Sequence, residues 1–219
     1  MSNLNQAWSV MTGPLEAIGT LRMDLSQRIM NNEQTPIFFS SEKLLDDWVL
    51  EMGFTSAPVG SRAPGNAKYV VDKRAYHYTS CWVRAKYTAY RDFLTEALAE
   101  ALKCNVLDMA SVDADHVANR ASMKDHSDAW VALVPVPKAV NQAFGSKFER
   151  SLHIAAEMDR VDFDPRHAFK LFSDRFPENS YDFEQAMKAI KSWFFVDDEP
   201  HGRDFCMRIE SEARTVLNL

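Results

Sequence analysis

Residues 112–150 read VDADHVANRASMKDHSDAWVALVPVPKAVNQAFGSKFER. The hydrophobic period changes inside this stretch. Val112 opens a β-like run that ends on Asp113, Asp115 and His116. Trp130-Val131-Ala132-Leu133-Val134 is apolar throughout and closed by Pro135 and Pro137, the pattern of a buried strand. A polar run, 119–128, joins the two. From about Lys138 the period turns helical, with Val140, Phe144, Phe148 and Leu152 four residues apart. Gly145 costs that helix about 1 kcal/mol relative to alanine, so it marks a close approach or a break. The stretch therefore predicts a hairpin followed at once by a helix, with Asn141 in the helix's first turns.

Helical patterns flank this unit. Pro14 suits a first turn, and Leu15, Ile18, Leu21, Leu25 and Ile29 recur at helical spacing over 14–31. Ser40-Ser41-Glu42 opens a second helix that Gly53 ends. Residues 55–67 read as a loop, and Tyr69-Val70-Val71 as a short strand. The stripe Trp82, Ala85, Ala89, Phe93, Ala97, Ala101 predicts a long helix over 80–103. Further helices are expected near 165–175, 181–194 and 204–217. The fold class is α+β, a mostly helical chain with its β structure in one hairpin. Three regions follow: a helical 1–104, the hairpin unit 105–158 and a helical 159–219, or all three as one domain.

Composition narrows the function classes. The chain has 219 residues, 46% hydrophobic and 26% charged, which is ordinary for a globular protein. Cys81, Cys104 and Cys206 are widely spaced and odd in number, which argues against a disulfide framework and a zinc knuckle. No apolar run is long enough to span a bilayer, and the N-terminus lacks a secretory pattern, so a cytoplasmic location, or export by a route that leaves no such mark, and no membrane partner are expected. The net charge of −6 speaks against nonspecific coating of nucleic acid. Residues 61–91 nevertheless carry seven basic side chains and one acidic one. That island is either a phosphate-facing surface or a solvated face paired with the acidic remainder.

The hairpin unit holds the residue types that phosphodiester hydrolysis requires. A base must deprotonate water, and a cation must offset charge on the phosphate. Histidine titrates near neutrality, and aspartate and asparagine offer hard oxygens suited to Mg²⁺. Asp113-Ala114-Asp115-His116-Val117, a polar loop, the apolar strand 130–136 and then Asn141 resemble the ββα-metal (His-Me finger) module of HNH endonucleases. The likeness is nearest to the HNH domain of RNA-guided CRISPR nucleases, and 24 residues lie between His116 and Asn141.

The resemblance implies a metal-dependent endonuclease acting on DNA, double-stranded by preference, with RNA second. It implies His116 as general base, and Asp115 and Asn141 as ligands of Mg²⁺, with Mn²⁺ or another divalent ion as substitutes. Arg120, Asn119 and Lys147 are candidates for contacting substrate, and Asp113 for supporting the ligands. A compact nuclease of this kind suits a toxin or effector role with an inhibitory partner protein. The HNH pattern of CxxC pairs is missing, and so is a His or Lys three or four residues beyond the Asn, where Phe144 and Gly145 stand. The rival reading is a degenerate HNH fold that binds or regulates without cutting. A regular strand sends Asp115 and His116 to opposite faces, so the nuclease reading needs the strand to end or bulge there.

Overall fold

The computed structural model describes residues 14–57, 65–71, 79–101, 109–145, 154–194 and 199–219. The strand predicted from Trp130 onward organises it. This strand, β6 (Trp130–Pro137), is buried at all but its last residue, as a run with no polar alternation demands. β4 (Thr79–Arg84) lies along one edge, pairing Cys81 with Leu133 and Arg84 with Trp130. The other edge is shared. β1 (Pro36–Phe39) covers its start through Phe39↔Trp130 and Phe38↔Val131. β5 (Val112–His116) covers its end, from His116↔Leu133 to Val112↔Pro137.

β2 (Thr55–Ala57) and β3 (Ala67–Val71) extend the sheet beyond β4, and β7 (Arg160–Asp162) extends it beyond β1. The order is β2-β3-β4-β6-β1-β7, with β5 also on β6, and each pairing among the described residues is antiparallel. Seven helices accompany the sheet among the described residues, so the chain is α+β. They are α1 (Pro14–Met30), α2 (Glu42–Glu51), α3 (Tyr90–Ala101), α4 (Lys138–Gly145), α5 (Pro165–Phe172), α6 (Ser180–Trp193) and α7 (Pro200–Leu217).

Several expectations change. The β structure is not confined to one hairpin, because the region read as helical, 1–104, carries β1 to β4. Residues 79–84 form a strand and not the start of a long helix; α3 begins only at Tyr90. Cys81, Trp82 and Val83 are all buried. β4 lies inside the sheet, and burial on both faces erases the two-residue period that would identify it. β1 is four consecutive apolar residues, too short to show any period. Within 55–67, taken as loop, Thr55–Ala57 pairs with β3. The expected extension of α4 through Phe148 and Leu152, and Cys104, lie outside the described residues.

Two aromatic clusters anchor the packing. Phe39, Trp48 and Trp82 meet pairwise with ring centroids 5.4–5.8 Å apart, and Phe54 stands edge-on to Trp48. On the helical side Phe144 touches Phe169, which touches Phe183, while Phe172, Phe194 and Phe205 form a second chain of rings. Burying each such ring stabilises by roughly 1.5–3 kcal/mol. Arg22 of α1 is buried and donates to the carbonyls of Leu171 and Ser173 and to Asp174. It thereby satisfies acceptors that α5 leaves open at its C-terminus. Ser41 and Asp164 cap the starts of α2 and α5. No helix among the described residues is long and apolar enough to cross a membrane.

Candidate functional site

The ββα connectivity read from the sequence is present. β5 and β6 pair antiparallel, and α4 begins on the residue after β6. Between the strands a 3₁₀ turn, Arg120–Met123, folds the polar connection back. Ser122 donates to the Asn119 carbonyl from its amide (3.0 Å) and its hydroxyl (2.6 Å). His126 fastens the end of this loop, with Nε2 3.1 Å from the Ala155 carbonyl oxygen and its ring edge-on to Phe38.

β5 keeps register up to its last residue, His116, and the Val117 amide still donates to the Ala132 carbonyl at 3.0 Å. No bulge interrupts it. Alternation therefore gives Asp113 and Asp115 one face of β5 and His116 the other. The contacts agree. Lys170 of α5 donates to Asp115 Oδ2 at 2.7 Å. Asn141, the fourth residue of α4, donates from Nδ2 to Asp113 Oδ2 at 3.3 Å. Arg91 of α3 donates from Nη2 to Asp113 Oδ1 at 2.8 Å. His116, 7% exposed, meets Tyr90 edge-on with ring centroids 4.4 Å apart.

The structure thus brings Asn141 to Asp113, two residues before the aspartate expected to share a metal with it. It gives Asp115 a lysine as partner. Two carboxylates and two cations from three elements leave the centre close to neutral. Among the described residues no group of three or more His, Cys, Asp or Glu stands together as a metal cage. The Arg120 side chain and Lys147 lie outside the described residues, so their expected substrate contacts have no described geometry.

Lys170, Arg91 and Tyr90 escaped the sequence reading as members of this centre. Lys170 sits in PRHAFKLF, where a lysine among apolar residues reads like any solvated helix position. Arg91 was visible only as part of the basic island. Among the described residues of that island, Lys68, Arg84 and Arg91 are paired with carboxylates. Lys68 contacts Glu42 and Asp46, and Arg84 contacts Glu42, Asp128 and the Gly65 carbonyl. Both cations also lie over the Trp130 ring, at 5.2 and 5.4 Å.

The free thiols of Cys81 and Cys206 are buried, and burial pushes each up to about 12, which removes them as nucleophiles. No family model matches the chain, and searches of curated proteins and of solved structures give no match either.

Proposed function

We propose that the β5–β6–α4 unit is the centre of a phosphodiester hydrolase of the His-Me finger kind, acting on DNA in preference to RNA. One arrangement carries the reading. A strand ending in Asp-x-Asp-His pairs with its neighbour, and the next helix returns Asn141 to within hydrogen-bonding distance of that strand's first aspartate. His116 is the base, taking a proton from the attacking water on a ring nitrogen; because β5 holds it on the face opposite Asp113 and Asp115, the end of the strand must turn to bring that nitrogen to the metal side.

The donor set suits a hard divalent cation in its chemistry: carboxylate oxygens from Asp115 and Asp113 and the amide oxygen of Asn141. Asp115 and Asn141 would hold Mg²⁺ or Mn²⁺, with Asp113 beside them. To admit the ion, Lys170 must leave Asp115, and the Asn141 amide must turn its oxygen inward. The ion would supply positive charge for the phosphate and the leaving oxygen.

The pairing of Asp115 with Lys170 and of Asp113 with Arg91 favours a second reading, a ββα protein that binds without cutting. Supercoiled plasmid separates the two. The hydrolase reading expects nicking by the purified chain in Mg²⁺ or Mn²⁺, its loss in EDTA, and its loss in a folded His116→Ala variant. DNA binding with no cutting in either metal would establish the second reading. Cutting unchanged by His116→Ala would remove the assignment of the base.

A further inference from the structure

The first turn of α3 touches β5 twice, once at the proposed base and once at Asp113 on the strand's other face. Tyr90 lies against His116, and the next residue, Arg91, donates to Asp113. Building on the hydrolase reading above, we infer that Arg91 is a phosphate-binding residue of this centre. It clamps the nucleic-acid backbone next to His116.

Three observations support this. The Arg91 side chain is 50% exposed while its carboxylate partner is 9% exposed, so the guanidinium spans from the buried aspartate to solvent. A guanidinium has five N–H donors on a planar fork. Among the described residues its one side-chain hydrogen bond goes from Nη2 to Asp113, and a fork held on one side presents its other N–H groups in a fixed plane. That is the geometry by which arginine takes a phosphate with two donors.

The second observation is contrast within the basic run. Lys68 and Arg84 each contact at least two acidic residues and lie over Trp130. Among the described residues Arg91 has a single carboxylate partner, and that carboxylate also accepts from Asn141. The third is placement. Tyr90 lies against His116, and Arg91 is the next residue of α3. The ligand class is a phosphodiester backbone, read for charge and not for base sequence.

The test is binding without turnover. A fluorescein-labelled DNA duplex is titrated with the full chain in EDTA, by anisotropy, over a series of salt concentrations. Arg91→Gln keeps a donor for Asp113 and removes the charge. It is expected to weaken binding on the order of tenfold and to lower the slope of log affinity against log salt by about one. Arg91→Lys keeps the slope and loses part of the affinity. Arg208→Ala, on exposed α7 surface, changes neither. Thermal melts confirm that each variant is folded; a purely structural Arg91 would move the melt and leave the slope alone.

An unchanged slope in folded Arg91→Gln overturns the inference, and so does absence of DNA binding by the parent chain. Plasmid nicking in Mg²⁺, run in parallel, keeps the two proposals apart. A parent chain that binds through Arg91 but never cuts loses the hydrolase reading alone. A parent chain that cuts, with slope and kcat/KM untouched by Arg91→Gln, loses the phosphate assignment alone.

Discussion

Lys170 Nζ lies 2.7 Å from Asp115 Oδ2, and the two side chains expose only 8% and 12% of their surface. The pair ties α5 to β5 across 55 residues of sequence. A buried pair is a poor source of net stability, because desolvating both charges offsets most of their attraction. Its value lies in position, for Asp115 is one of the two residues proposed to hold the metal ion.

Removing one partner should therefore be far worse than removing both. Lys170→Met takes the buried Asp115 carboxylate's lysine away and is expected to lower stability by about 3–5 kcal/mol. Adding Asp115→Leu to it should restore most of that loss. Urea unfolding of the two single variants and the double variant gives the coupling directly. Additive effects would mean that the two groups do not depend on each other.

The hairpin, α4 and the order of Asp115, His116 and Asn141 follow from residues within thirty positions of each other, where period and spacing carry information. α1 and α2 were legible for the same reason. β4 was not, since a strand covered on both faces loses its alternation, and Trp82, Ala85 and Ala89 happen to fit a helical stripe as well. Lys170 and Arg91 were invisible as site residues because each meets its aspartate only after the chain has folded back. A lone lysine in α5 carries no local sign of the carboxylate it will find.

Two glycines should respond to alanine in opposite directions. A Cβ on Gly202, at the start of α7, would be driven into the Phe194 carbonyl oxygen, a backbone atom that cannot swing aside. Gly202→Ala is expected to cost at least about 1–3 kcal/mol. Gly19 lies within α1 with nothing within 4 Å of its added Cβ. Gly19→Ala should stabilise by about 0.5–1 kcal/mol through reduced backbone entropy of the unfolded chain. Melting temperatures moving the same way in both variants would contradict this geometry.

The thiols give a direct probe of the core. With Cys81 and Cys206 each pushed up to about 12 by burial, almost no thiolate forms near pH 8. A Cys104→Ser chain, which leaves only these two, should react with a disulfide reagent at pH 8 at the rate of unfolding and no faster. In denaturant both should titrate at once. Rapid labelling of one thiol in the native protein would show that the helix or strand carrying it opens locally.

Acid should act through the cap of α5. Burial acts to raise the Asp164 carboxyl, but the hydrogen bonds and charge of His167, with the charge of Arg166, outweigh it and hold the group well below its ordinary 3.8. Asp164 accepts from the Arg166 and His167 amides at 2.8 and 3.0 Å, and its ionised form is the better acceptor. A carboxyl lowered by folding contributes stability that is complete above the unfolded value and is lost as the pH falls toward the folded one. The loss should therefore begin near pH 4 and deepen below it. Asp164→Ser keeps a capping oxygen but has no proton to take up, so its unfolding free energy should fall less between pH 5 and pH 2.5 than that of the parent chain. Parallel curves for the two proteins over that interval would mean that acid enters the fold somewhere else.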